Sequence, residues 1–354
     1  MNETNEILIL GSIALDTIET KFGKKENLLG GSATYATIGA GLYGSPIPIG
    51  IVGDDFPKKG DEIFNSFSSN IENIEKKNGK TFSWGGKYHS NGDDRDTLFT
   101  DLGVFESFDP VVHSKNINTS WVFLANIHPS LQLSVLNQCK NDPTVITDTM
   151  NLWIDTTLEA LKKIIERTDI LLINESELSL LTKSENILEA SKQVLSMGPQ
   201  KIVVKLGSKG ARCISKNEDI SVGVYPVKDV VDPTGAGDVF GGGFVSGLID
   251  KLSIFDSMVR GSALASFCIE EFGVVKLINI EKSDVEKQHI CFIAFVIVWA
   301  GFLPVWTLIF ALCLALLFIR FFVRSWLIAR RSAHEGGALL TLKICCQYYP
   351  CRRL

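Results

Sequence analysis

Many of the short motifs that announce an enzyme class are absent from this 354-residue chain. No GxxxxGK(S/T) occurs, which excludes a P-loop NTPase, and there is no HExxH, GxSxG or zinc-type cysteine pair. Gly235 and Gly237 do not extend to GxGxxG, because position 240 is Phe, so a nucleotide-dependent oxidoreductase lacks its fingerprint. Cysteine is sparse in the body of the chain. Cys139, Cys213 and Cys268 are scattered without CxxC or metal-like spacing, and read as reduced core residues of a cytosolic protein. An excess of positive charge is also missing: residues 1–289 carry 28 Lys and Arg against 39 Asp and Glu. An acidic body argues against general nucleic-acid binding. Met1 to Glu6 is polar and acidic, with no signal peptide before the first strand, so the expected location is the cytoplasm.

What is present is an ordinary globular composition, 45% hydrophobic and 21% charged, long enough for one large α/β domain or two smaller ones. Ile7–Leu10 has the form of a buried first strand, and Ile13–Thr20 alternates as a half-exposed strand would. Gly30-Gly31-Ser32 precedes a small-residue helix, Ala33 to Leu42, and Ile47 to Val52 is another strand. Residues 72–108 differ: Ile74 to Lys80 reads as a surface turn, while Phe82–Trp84 and Asp96–Phe99 read as short strands of a small exposed sheet. From residue 119 strands and helices alternate. The strands are Trp121–Asn126, Val145–Asp148, Ile170–Ile173 and Ile202–Leu206; the helices are Leu131–Cys139, Thr157–Arg167 and Ile187–Ser196. That alternation predicts a doubly wound, mainly parallel sheet, whose ligands bind beyond the carboxyl ends of the strands. Gly11, Ser12, Gly53, Asp54, Asn126, Asp148, Asn174 to Glu177 and Gly207 all follow strands, which favours a site on that edge. Asp148, with Asn151 and Trp153 behind it, is a candidate for the acceptor side on this position alone.

The stretch Asp232-Pro233-Thr234-Gly235-Ala236-Gly237-Asp238 carries the most chemistry. It follows the apolar run Val227–Val231 and precedes a helix read as Val239–Ile249. Two glycines around an alanine let backbone N–H groups turn inward, and a helix N-terminus adds unpaired donors and a positive dipole end. Such a turn suits a phosphoryl group. An aspartate at its end makes sense as a base that takes a proton from an attacking hydroxyl. The plain alternative is a Pro-Gly turn between strand and helix. Asn174 and Glu177 open a helix, where they either cap it or face a metal-bound water. Lys205-Leu206-Gly207-Ser208-Lys209-Gly210-Ala211 joins two strands, as a tight turn or as the wall of a nucleotide pocket.

Together these motifs resemble the PfkB carbohydrate kinase family, the ribokinase-like sugar and nucleoside kinases, over about residues 6–280. DPTGAGD at 232–238 is similar to that family's C-terminal signature, and Gly30-Gly31, NESE at 174–177 and KLGSKGA at 205–211 fall in the family's order. The resemblance implies an α/β fold with a Rossmann-like core and a small β-sheet lid near 13–28 and 82–108. It implies an ATP- and Mg²⁺-dependent phosphotransferase acting on a sugar hydroxyl. A nucleoside (adenosine-like) kinase and a catalytically silent, membrane-tethered binding protein of the same fold are the alternatives. By the resemblance, Asp238 is the base, and Gly235, Ala236 and Gly237 supply the anion hole. Asp16, Gly30 and Gly31 hold the acceptor. Asn174, Lys205, Gly207 and Gly210 line the ATP site, and Asn174 and Glu177 organise Mg²⁺ through water. Asp232 matches an aspartate that some members place near a monovalent cation such as K⁺. One departure is Tyr35, where ribokinase-type sequences carry Asn, so a ribose partner is lost or replaced. An exposed lid can pair edges into a homodimer.

The domain so read spans 1–288. Residues 290–354 invert the charge balance, with 7 Lys and Arg against 1 acidic residue, and hold the other five cysteines. Ile290 to Ile319 is an uncharged run of 30 residues interrupted by Pro304. It reads as a membrane-spanning helix, since about 20 residues suffice to cross, or as the product of a fusion or frameshift.

Overall fold

Short runs of Ile, Leu and Val, each ending in glycine or a polar residue, build the larger of two sheets. In the computed structural model, which describes residues 5–89 and 95–288, the first strands are β1 (Glu6–Leu10), β2 (Ala14–Thr20), β3 (Gly23–Gly30), β4 (Ser45–Val52) and β5 (Ile74–Lys76). They are followed by β6 (Ser83–Tyr88), β7 (Arg95–Asp101), β8 (Trp121–Leu124) and β9 (Thr144–Asp148). The last are β10 (Ile170–Asn174), β11 (Lys201–Lys205), β12 (Ala211–Ser215) and β13 (Asp219–Val222). The large sheet has the order β13-β12-β11-β10-β9-β8-β1-β4-β5, and its pairings are parallel from β11 to β5, with β12 and β13 antiparallel at one end. A second sheet, β3-β2-β6-β7, forms the lid.

Alternate residues of each central strand enter opposite layers, as a sheet covered by helices on both faces requires. Leu8, Leu10, Leu171, Ile173, Ile202 and Val204 pack into one core, and Ile7, Ile9, Leu172 and Val203 into the other. The second core is closed by two helices in close contact, Ser32–Gly41 and Ala236–Ile249. A Cβ on Gly242 would lie 2.2 Å from Ala36 O, so only glycine allows the crossing. That crossing sets the N-terminus of the Ala236–Ile249 helix beside the Gly30-Gly31 turn.

Several local expectations change. β2 is buried over its first five residues instead of half-exposed, because it lies between β3 and β6 with the large domain beneath it. Residues 74–76, read as surface turn, form the edge strand β5. The lid ends at Asp101: Gly103–Ser107 is a 3₁₀ turn whose Val104 joins the first core with Phe108. The apolar run Val227–Val231 forms no strand, and Val230 is 38% exposed. The helix read as Thr157–Arg167 is Leu158–Ile165, and a short helix that was not expected, Asn151–Thr156, precedes it. Among the described residues no helix is long and apolar enough to cross a membrane. The span read over 290–319 lies outside the described residues.

Candidate active site

Parallel pairing brings the carboxyl ends of β1, β8, β9, β10 and β11 to one edge, and the loops after them are tied together by side chains. Ser12 and Ser32 exchange backbone-to-hydroxyl hydrogen bonds, Ser12 N–H donating at 3.0 Å and Ser32 N–H at 3.1 Å. Ser32 Oγ also donates to Asn126 O at 2.8 Å. The turn after β1, the Gly30-Gly31 turn and the end of β8 therefore form one framework.

Asp16 stands on β2 and is 4% exposed. Gly30 is pressed against it: a Cβ there would meet Asp16 Oδ2 at 1.9 Å. Burial first, and then Asp232, pushes the Asp16 carboxyl up to about 8, opposed by a hydrogen bond from Gly31 N–H; Asp238 adds to the rise and Arg95 opposes it.

The 232–238 turn is held from within. Asp232 Oδ1 accepts from Thr234 N–H and Oδ2 from Gly273 N–H, both at 2.9 Å. The carboxylate expected near a monovalent cation thus spends both oxygens on the backbone. Gly235 caps the helix in the left-handed region, with φ 76°, and its α-carbon sits on the Tyr35 ring, where a Cβ would come within 2.3 Å. The helix begins at Ala236, three residues earlier than the sequence suggested, so Asp238 lies in its first turn. Ala236 N–H reaches Pro233 O at 3.3 Å and Val239 N–H reaches Gly235 O at 2.9 Å. Between them, the amides of Gly237 and Asp238 meet no carbonyl among the described residues. Asp238 is half-buried. Burial chiefly, with Asp148 adding, lifts its carboxyl to about 7, while Lys205 and Arg95 pull it down.

Lys205 closes β11 and reaches Asp148 at the end of β9, its Nζ 2.8 and 2.7 Å from the two carboxylate oxygens. Burial would strip its proton, but Asp148 and Glu177 more than offset that and hold the ammonium charged. Asn174 and Glu177 form a full capping box: Glu177 N–H donates to Asn174 Oδ1 at 2.8 Å, and Asn174 N–H to Glu177 Oε2 at 2.9 Å. Burial raises the Glu177 carboxyl to about 7 against the pull of Lys205. Gly207 and Gly210 form the β11–β12 turn, with Leu206 N–H on Gly210 O at 2.8 Å, and Gly210 packs against Val222 O.

The structure thus gathers Asp16, Gly30, Gly31, Asp232, Gly235, Ala236, Gly237 and Asp238 around one turn, and Asp148, Glu177 and Lys205 beside it. Asn174 is engaged as a cap. Sequence reading missed two lid residues. Tyr88 shares a 3.1 Å hydroxyl–hydroxyl hydrogen bond with Thr234. Arg95, whose Cα pairs with that of Tyr88 across the β6–β7 hairpin, lies 5.1 Å from the Trp84 ring centroid and approaches Tyr88 OH at 3.5 Å. No motif marks either one; only hairpin register could have paired them.

A mainly parallel sheet with a four-stranded lid, and an aspartate at a glycine-lined helix N-terminus, define a phosphotransferase with an alcohol acceptor. The chain belongs to the pfkB family of carbohydrate kinases, whose model matches residues 74–280. It is 26% identical over 248 residues to the cytidine kinase of Thermococcus kodakarensis, which covers 68% of this chain and 88% of that protein. Among solved structures, the fold is similar to the Methanocaldococcus jannaschii nucleoside kinase, with TM-score 0.68, 22% identity, and 82% of this chain and 100% of that one covered. It is also similar to Arabidopsis thaliana ribokinase complexed with ribose and ATP, with TM-score 0.66, 23% identity and 81% and 99% coverage. An Escherichia coli ribokinase II in complex with ATP and Mg²⁺ gives TM-score 0.70, 21% identity and 80% and 98% coverage.

Proposed function

We propose that this protein transfers the γ-phosphoryl of ATP, with Mg²⁺, to a hydroxyl of a free sugar or of a nucleoside. The observation that carries this reading is the pairing of the Asp238 carboxyl with two unpartnered helix-terminal amides, at Gly237 and Asp238. Asp238 takes the acceptor proton, and its elevated pKa suits a base that works near neutrality. The amides of Gly237 and Asp238 stabilise charge on the transferring group as it develops. Asp16, backed by Gly30 and Gly31, accepts hydrogen bonds from acceptor hydroxyls.

The residues fit a Mg²⁺ that arrives on the nucleotide. Among the described residues no cluster of three or more metal-ligating side chains exists, but one or two carboxylates suffice when phosphates and waters complete the shell. Glu177 would hold it through water, and Asn174 would act by fixing Glu177 in the capping box. Held there, the ion would supply charge neutralisation for the phosphates. Asp232 accepts from Thr234 and Gly273 N–H and so shapes the turn. The buried hydrogen bond from Ser266 Oγ to Gln288 Oε1, at 3.0 Å, supports a kinase domain that extends to about residue 288.

A panel of sugars and nucleosides, beginning with ribose and cytidine, tests the proposal by acceptor-dependent ADP release with Mg·ATP. Asp238→Asn should lower kcat about 10²–10⁴-fold while nucleotide affinity stays within about threefold. If no acceptor stimulates ADP release, or Asp238→Asn turns over as fast as the parent, the reading is wrong.

A further inference from the structure

Strand-end position marked Asp148 as an acceptor ligand, yet its carboxylate is fully engaged elsewhere. We propose that Asp148 belongs to the phosphoryl-transfer centre, as the positioning residue that holds Lys205 in place as the cation of the anion hole. The inference rests on the kinase reading above and adds a residue to its machinery.

Three observations support it. First, the pair is built across the sheet. β10 lies between β9 and β11, so at about 4.8 Å per strand the two backbones stand roughly 10 Å apart, and the Lys205 and Asp148 side chains together bridge that gap over the end of β10. Both oxygens accept from the same Nζ, at 2.8 and 2.7 Å. Second, Asp148 is immobilised. It is 1% exposed, its Oδ1 also accepts from Thr149 N–H at 2.9 Å, and its carbonyl accepts from Gln132 Nε2 at 3.0 Å. Gln132, equally buried, binds the Ala125 carbonyl at 3.1 Å and so ties the ends of β8 and β9 together. Third, the ammonium lies against the glycine turn: a Cβ on Gly237 would stand 3.3 Å from Lys205 Nζ. The charge is therefore beside the unpartnered Gly237 amide.

An ammonium has three donors, and Asp148 takes two. The third is free for an oxygen of the transferring group. In the transfer, a bond forms between acceptor oxygen and phosphorus, and the bond from phosphorus to the bridging oxygen breaks. Its electron pair leaves on ADP and the acceptor proton passes to Asp238. Lys205 neither gives nor takes a proton; it supplies fixed positive charge where negative charge gathers. Without Asp148 the long, flexible side chain has no fixed orientation, and that fixed geometry is what Asp148 contributes.

The test uses the full chain with Lys205→Met, Lys205→Arg, Asp148→Asn and the double variant Lys205→Met/Asp148→Asn. Acceptor-dependent ADP release gives kcat and both KM values. Calorimetric titration with a non-hydrolysable ATP analogue and Mg²⁺, without acceptor, gives nucleotide affinity, and thermal melting reports folding. Asp148→Asn should lower kcat 10–100-fold and weaken the analogue several-fold, with acceptor KM within twofold. Lys205→Met should cost more, Lys205→Arg should recover part of the loss, and the double variant should be no worse than Lys205→Met, because a residue that acts through another cannot be lost twice. Should Asp148→Asn fail to fold, the double variant carries the comparison, since it leaves no unpaired buried charge. An acceptor KM that rises tenfold with kcat intact, losses that multiply in the double variant, or lowered melting with unchanged kinetics each overturn the inference. Wild-type turnover that depends on Asp238 but ignores Lys205→Met overturns it alone; absence of acceptor-dependent turnover overturns the kinase reading and the inference with it.

Discussion

Asp16→Asn should gain stability relative to the parent protein as pH rises. Asp16 is 4% exposed, and burial followed by Asp232 lifts its carboxyl from 3.8 to about 8. Below pH 3.8 the folded and unfolded chains both keep the proton, and the shifted ionisation takes nothing from stability. Above that value the unfolded chain releases its proton while the folded chain retains it, so stability falls with rising pH until the folded group ionises near pH 8. By pH 7 about three pH units of that window have been crossed, and at ~1.4 kcal/mol each the loss is about 4 kcal/mol. That is a large share of the ~5–15 kcal/mol that holds a domain together. An asparagine has similar shape and cannot ionise. Any fixed cost of the amide, such as an altered bond to Gly31 N–H, is the same at every pH and cancels from the slope. Calorimetric or dye-monitored melting without ligands at pH 4.5, 6, 7 and 8 reads the difference. The variant's advantage should grow by roughly 10 °C between pH 4.5 and pH 8. If the two proteins melt in parallel across that range, Asp16 ionises normally and the electrostatic account of the pocket fails.

Three further outcomes follow from the same geometry. Asp238, lifted to about 7 by burial and Asp148 and opposed by Lys205 and Arg95, must be ionised to act as base, so kcat/KM should climb with pH through about 7 and level off above it; a profile flat from pH 5.5 to 8.5 contradicts that role. Gly235→Ala should destabilise by about 3 kcal/mol, from a left-handed φ of 76° and a Cβ forced against the Tyr35 ring; denaturant unfolding measures it, and a loss below about 1 kcal/mol would mean that the turn tolerates a side chain. Tyr88→Phe removes the lid's hydroxyl partner for Thr234, and should raise acceptor KM three- to tenfold with nucleotide affinity unchanged, as read by steady-state kinetics and calorimetry.

Much of this site could be read from the sequence because its chemistry is local. Two glycines and an aspartate within one turn specify a helix N-terminus with free amides, and the strand-end rule places Asn126, Asp148 and Asn174 on one edge. Side-chain reach is not local. Asp148 was legible as an edge residue, but its partner lies two strands away at Lys205, and that span depends on sheet order. Burial was misjudged for the same reason. Asp16 sits in an alternating pattern that describes a solvated strand, whereas the lid sheet and the 232–238 turn enclose it from both sides. The lid was legible only in outline, because β7 is exposed along its whole length and leaves no periodic apolar face to read.

The departure at Tyr35 shows how these levels meet. Where ribokinase-type relatives carry a polar amide, this chain places an aromatic ring that is 2% exposed and packed with Ile38, Val239 and Leu264. Its ring lies directly beneath Gly235, so it supports the 232–238 turn from below and presents no amide there. Burial, reinforced by Cys268, Asp232 and Asp16, drives its hydroxyl pKa well above the ordinary value, which keeps it neutral beside the acidic cluster. On the proposed reading, acceptor recognition then falls to Asp16 on one side and to the lid residues Tyr88 and Arg95 on the other. A pocket that has given up a polar contact to its floor must obtain selectivity from the cover that closes over it. On that reading the acceptor is specified by the part of the chain with the weakest pattern, and phosphoryl transfer by the part with the strongest.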